Sequence, residues 1–237
     1  MKFGIVVFPG SNCDQDCEHV ARNLLGCEAE YVWHADTDLK GADVVVIPGG
    51  FAYGDYLRAG ALARFSPVME SVAAFAKSGG PVLGICNGFQ VLLEAGLLPG
   101  AMRVNRGLRY VCRDVHLKLE SPDTPFTRLY EPGAVVRMPI GHMEGNYTAP
   151  PHVLDELEAD DRVVFRYCDE RGAVADGANP NGADRAIAGI CSRERNVVGL
   201  MPHPERACEL AVGSADGLVL FESVVKSVGQ GTFATAR

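Results

Sequence analysis

Residues 82–93 read VLGICNGFQVLL, and the centre of that stretch is Gly84-Ile85-Cys86-Asn87-Gly88. The pattern G-x-C-x-G between two apolar runs is the thiol counterpart of a nucleophile elbow, a strand-to-helix turn that lifts one side chain out of a packed sheet. Cys86 would then sit at a helix N-terminus, where the dipole favours a thiolate. The backbone N–H of Asn87 would point to where an oxyanion develops. The ordinary alternative is a buried core cysteine, which is common. A nucleophilic thiol needs a base, and the base needs an orienter. Met201-Pro202-His203-Pro204-Glu205 offers both. Pro204 biases His203 toward an extended conformation, in which residues two apart face one side, so Glu205 could fix the imidazole. Gly49-Gly50 allows the close backbone approach that a second oxyanion donor requires; otherwise it is a simple turn.

These residues need a framework that brings loops together. Apolar runs at residues 3–8, 28–34, 44–48 and 81–85 read as strands, alternating with helical spacing at 14–25, 61–76 and 88–95. In the 61–76 segment the expected stripe runs through Leu62, Phe65, Met69, Val72, Ala73 and Ala76. Repeated strand–helix units with continuous apolar strands imply a parallel sheet covered on both faces. Functional residues of such sheets gather at strand carboxyl ends, which selects the loops after residues 8, 48 and 85. Beyond Leu98 the pattern loosens. Residues 108–119 and 134–140 look like antiparallel additions, 163–168, 186–192 and 197–202 like further strands, and 216–228 like a closing helix. No linker or repeat divides the 237 residues, so a single domain over 1–237 is expected.

Composition narrows the chemistry. Hydrophobic residues make up 47 % and the formal net charge is −8, which gives no electrostatic footing for nucleic acid. The opening MKFGIVVFPG reads as a core strand, since Pro9-Gly10 ends the apolar run too early for a signal sequence. No run reaches membrane-spanning length. The eight cysteines are scattered, which implies a reducing compartment and a cytoplasmic location. Cys13, Cys17 and His19 lie close together, yet no second ligand pair accompanies them, so no metal site is expected. The seven cysteines other than Cys86 read as ordinary packing or loop residues. No G-x-x-x-x-G-K-[ST] loop occurs, and Gly229-x-Gly231 lacks the flanking strand and helix of a dinucleotide loop.

GICNGFQ, PGGF and HPE together resemble class I glutamine amidotransferases. FPGSNCD (8–14), PGGFAYGDYLRAGA from Pro48, NPNGADRAIAGI (179–190) and GLMPHPERA (199–207) extend the resemblance to the glutaminase subunits of phosphoribosylformylglycinamidine synthases, over nearly the whole chain. The resemblance implies an α/β, flavodoxin-like fold with a mostly parallel sheet and an added antiparallel section. It implies that Cys86 attacks the side-chain amide of glutamine, that His203 shuttles protons, and that Glu205 orients it. Groups at Gly49, Gly50 and Asn87 would hold the oxyanion, and Gln90 would help position glutamine. PIGHMEGNY (139–147) matches a substrate-contacting stretch, with Met143 where the family has glycine. The implied partners are an ATP- and Mg-dependent synthetase subunit and a small assembly subunit, with no cofactor on this chain. Two rival readings are a Cys-dependent hydrolase of the protease/chaperone type and a non-catalytic subunit with a silent elbow.

Overall fold

The computed structural model describes residues 1–230; the end of the expected 1–237 domain and Gly231 of the Gly-x-Gly pair lie outside the described residues. The elements that carry the site are β1 (Lys2–Val7), α1 (Asp14–His19), β2 (Glu28–Trp33), β3 (Val44–Ile47), α2 (Pro67–Lys77), β4 (Val82–Ile85) and α3 (Asn87–Glu94). They are followed by β5 (Ala101–Arg103), β6 (Val111–Leu119), β7 (Val135–His142), β8 (Asn146–Thr148), α4 (Pro151–Ala159), β9 (Val163–Cys168), β10 (Ile187–Cys191), β11 (Val197–Leu200) and α5 (Leu218–Gly229). β3, β4, β10 and β11 are buried along their whole length, as their unbroken apolar runs require.

A nine-stranded sheet has the order β2-β1-β3-β4-β11-β10-β9-β6-β7. Its first five strands pair in parallel; from β11 onward every pairing is antiparallel. The added antiparallel section is therefore four of the nine strands. β2 and β3 lie on opposite sides of β1, so the right-handed crossovers through α1 and α2 leave on opposite faces. That reversal opens a crevice at the carboxyl ends of β1 and β3. The two loops there are joined, because Asn12 and Cys13 both donate their backbone N–H to Gly49 O at 3.2 Å.

β11 is the strand at which the sheet changes character. It pairs with β4 in the register Ile85 opposite Leu200, and Cys86 N donates to Leu200 O at 2.8 Å. β7 forms the far edge of the sheet, yet its Pro139 O accepts from His203 N at 2.9 Å. The sheet coils, as twisted sheets do, until that edge lies over the ends of β4 and β11.

One expectation changes. The helix expected over 61–76 is split: Ala63–Phe65 forms a short 3-10 turn, Ser66 is extended (φ −66°, ψ 141°), and the α-helix starts at Pro67. Proline is suited to the first helical position and unsuited to an interior one. Phe65 consequently leaves the apolar stripe and is 73 % exposed. The small β5–β8 ribbon and α4, which begins at Pro151, have no counterpart in the sequence reading.

Candidate active site

Cys86 occupies the junction of β4 and α3 with φ 50° and ψ −104°, a backbone conformation rare for a side-chain-bearing residue. The elbow's strain is thus borne by the cysteine itself. The flanking glycines serve close approach instead. A Cβ on Gly88 would lie 1.9 Å from Ile47 O, and one on Gly84 would lie 2.4 Å from Leu92 Cδ1. They let α3 settle directly onto β3 and β4, which raises the thiol above the strand ends. Cys86 is buried and its thiol faces Gly141 O at 3.8 Å. The N–H of Asn87 belongs to the first turn of α3, where backbone donors have no intrahelical partner.

His203 Nδ1 lies 2.5 Å from Glu205 Oε1, and the two side chains are 5 % and 0 % exposed. They converge through a 3-10 turn over Pro204–Arg206, not through the alternation of an extended strand. Burial opposes a charge on His203, but Glu205 first, then Cys86 and a hydrogen bond with Cys13, outweigh it and hold its pKa well above the usual imidazole value. The structure therefore brings Cys86, His203 and Glu205 together: the first two line one cavity of about 110 Å³, and the third backs the ring.

Gly49 gives the base its space. A Cβ there would lie 2.7 Å from His203 Cε1 and 2.9 Å from Cys13 Sγ, so its missing side chain makes room for the base. Gly50 is packed against the loop after β1, where a Cβ would lie 2.7 Å from Gly10 O, and it lines the cavities on either side of Cys86. The segment beyond it stores strain, with positive φ at Tyr53, Asp55 and Leu57.

The side chains of Asn87 and Gln90 are engaged within the protein. Asn87 Oδ1 accepts from Ala52 N at 3.0 Å, and its Nδ2 donates to Asp55 Oδ1 at 3.0 Å and to Gln90 Oε1 at 2.9 Å. Gln90 Nε2 donates to Glu144 O at 2.5 Å, and Glu144 Oε2 accepts from Ala59 N at 3.2 Å. This network ties α3 to both walls of a cavity of about 220 Å³ that Cys86, Gln90, Asp55 and Glu144 share. Burial raises the Asp55 carboxyl to about 6; the Asn87 hydrogen bond opposes the rise and the Glu144 charge adds to it. Burial lowers His142 in the same wall to about 4, assisted by the His203 charge. Met143 keeps an ordinary φ, so the segment does not depend on a glycine at that position. A larger cavity of about 440 Å³ lies between β6 and the 168–178 segment, away from the nucleophile.

Cys13, Cys17 and His19 do not converge. His19 Nε2 faces Glu209 at the surface at 2.8 Å, and Cys17 is buried. Cys13, expected to be ordinary, instead reaches His203 Nδ1 at 3.9 Å. The two residues are 190 positions apart, and no local pattern signals such a contact.

A profile of CobB/CobQ-like glutamine amidotransferase domains matches residues 1–217. The chain belongs to this amidotransferase family. It is 53 % identical over 97 % of its length to the whole of a protein named phosphoribosylformylglycinamidine synthase subunit PurQ from Koribacter versatilis. It is 56 % identical over 95 % of its length to 95 % of the protein of that name from Moorella thermoacetica. Among solved structures, the amidotransferase superposes on a chain of PurLQS from Thermotoga maritima with a TM-score of 0.85 at 40 % identity, covering 96 % of this chain and 98 % of that one. A glutamine amidotransferase from Thermotoga maritima shares the fold at a TM-score of 0.54 and 16 % identity, covering 97 % of this chain and 92 % of that one. Among the described residues, no helix of the amidotransferase is long and apolar enough to cross a membrane.

Proposed function

We infer that this chain is the glutaminase subunit of phosphoribosylformylglycinamidine synthase, feeding ammonia to an ATP-dependent synthetase subunit in purine biosynthesis, with a small third subunit in the assembly. Near-full-length similarity to PurQ proteins supports the assignment, as does the likeness to a chain of PurLQS. The observation that carries the chemistry is the strained Cys86 elbow beside a buried His203–Glu205 pair at 2.5 Å.

In the mechanism we propose, His203 takes the Cys86 thiol proton through Nε2 while Glu205 holds Nδ1–H. The sulfur attacks the glutamine side-chain amide carbon, and the oxyanion is met by the Asn87 N–H and the backbone at Gly49-Gly50. His203 then protonates the departing ammonia, leaving a glutamyl thioester. Water, deprotonated by His203, releases glutamate and restores the thiol. Gln90 shapes the glutamine cavity from the α3 side. The chain acts in the cytoplasm as a single amidotransferase domain over 1–237 without a cofactor of its own. ATP and Mg serve the synthetase subunit.

Cys86→Ser tests this reading. In the assembled enzyme it should abolish glutamine-dependent synthesis, a loss of at least about 10³-fold, and leave ammonia-dependent synthesis intact. Loss of both activities would assign Cys86 a structural role, and peptide hydrolysis without ammonia release from glutamine would favour a hydrolase instead.

A further inference from the structure

The proposed chemistry uses one thiol, but the site holds a second. Cys13 Sγ, a ring nitrogen of His203 and a Glu205 carboxylate oxygen all lie within 4.8 Å of one another, and all three residues are buried. A separate observation points to a ligand. Glu205 Oε2 is buried with no hydrogen-bond partner, and such an orphaned acceptor is costly to leave in a protein interior. The donors come from independent, well-held elements. The Cys13 backbone is fixed to Gly49 O at 3.2 Å, and the His203 backbone is fixed to Pro139 O at 2.9 Å.

We propose that Cys13, His203 Nδ1 and Glu205 form a binding site for a zinc-class divalent cation, and that an occupied site switches the glutaminase off. A thiolate, an imidazole nitrogen and a carboxylate are the donor types zinc takes, and three protein ligands leave a fourth position for water. Metal–donor distances of about 2.3 Å to sulfur and 2.0 Å to nitrogen place tetrahedral S and N donors about 3.5 Å apart. The 3.9 Å between Cys13 Sγ and His203 Nδ1 needs only a small closure. His203 and Glu205, at 2.5 Å, must part by somewhat less than 1 Å to admit the ion. The charges also match: on binding, the thiol proton and the Nδ1 proton leave to solvent, and one thiolate with one carboxylate neutralises a dication. Entry is through the cavity that Cys13 and His203 line together with Cys112, an exposed residue. Arg206 also lines that cavity, with its guanidinium bonded to Asp16 at 3.1 Å.

Switching off follows from the imidazole's two nitrogens and rests on the proposed function. A metal on Nδ1 leaves the neutral ring's proton on Nε2, and that ring cannot then accept the proton of Cys86. The ion would hold the base in the wrong tautomer without touching the nucleophile.

Cobalt(II) is the probe, titrated into the full chain and followed by its thiolate charge-transfer and tetrahedral d–d absorption. Cys86→Ser should keep both signals, and Cys13→Ser should lose the charge-transfer band with affinity down at least about tenfold. Glu205→Gln should weaken binding while keeping the band, which reports on the site even if Cys13→Ser folds poorly. In ammonia release from glutamine, zinc should inhibit the unmodified chain, and Cys13→Ser should raise the half-inhibitory concentration at least about tenfold relative to its own uninhibited rate. Cobalt absorption lost in Cys86→Ser and kept in Cys13→Ser would overturn the proposal, and so would signals unchanged in all three variants. The cobalt titration needs no turnover, so it stands or falls separately from the glutaminase reading.

Discussion

Replacing Glu205 with glutamine keeps the shape of the site and removes one charge. Glu205 Oε1 is 2.5 Å from His203 Nδ1, and neither side chain is more than 5 % exposed. At an effective dielectric of about 20, opposite unit charges about 4 Å apart gain roughly 4 kcal/mol, or about a thousandfold in proton affinity at 1.36 kcal/mol per tenfold. Without the carboxylate the chief offset to burial is gone, and His203 in Glu205→Gln should titrate well below its value in the parent. The imidazolium formed during thiol attack loses its counter-charge, so kcat for ammonia release should fall by about 10³–10⁴. KM should move little, since Glu205 is absent from the wall of the cavity shared by Cys86 and Gln90. The assays are steady-state glutaminase kinetics against pH and NMR titration of the histidine ring protons. The pH dependence of stability should also change. In the parent the raised His203 pKa contributes stability that is complete below about 6.5 and lost as pH rises through the higher folded value. In Glu205→Gln the folded value moves down toward the unfolded one, so that contribution should shrink. A kcat loss under tenfold with His203 titrating as in the parent would refute the reasoning.

Two other perturbations read the frame of the site. Gly88→Ala puts a Cβ 1.9 Å from Ile47 O, and an overpacking cost of about 1–3 kcal/mol or more should lower the thermal midpoint by several degrees or prevent folding; an unchanged midpoint would contradict the close α3–β3 approach. Asp55→Asn removes a carboxyl held at about 6 and preserves the acceptor for Asn87. The folded pKa lies above the unfolded one, so the parent's contribution is intact below about 3.8 and lost as pH rises through about 6. In denaturant titrations the stability of Asp55→Asn relative to the parent should therefore grow across that window and level off above it.

What the sequence displays and what it hides divide along contact distance. The elbow is legible because Gly84, Cys86 and Gly88 are local, and because an apolar strand and an amphipathic helix must meet there. His203 and Glu205 are legible because they are two residues apart, although a 3-10 turn rather than an extended segment joins them. Gly49 is legible as a site of close approach, but what approaches is the His203 ring and Cys13, each brought in by the fold. Cys13 reads as ordinary because its partner lies 190 positions away. Periodicity alone also carried the 61–76 helix through Ser66-Pro67, where proline's missing N–H and fixed φ impose a boundary.

The adjacency of β4 and β11 separates what is stiff in this molecule from what is soft. The nucleophile and its base issue from hydrogen-bonded neighbouring strands, so their spacing is governed by one interstrand step of about 4.8 Å in the most deeply buried part of the sheet. Fluctuations that open such a ladder approach the cost of global unfolding. The wall of the cavity shared by Cys86 and Gln90 hangs instead on the 51–57 loop, with its three left-handed side-chain-bearing residues, and on a few side-chain hydrogen bonds through Asn87, Gln90 and Glu144. A docking subunit therefore has little leverage over the distance between sulfur and imidazole and a great deal over the wall of that cavity. What a docking subunit can adjust, on this architecture, is the cavity wall around a thiol–imidazole pair that is already in place.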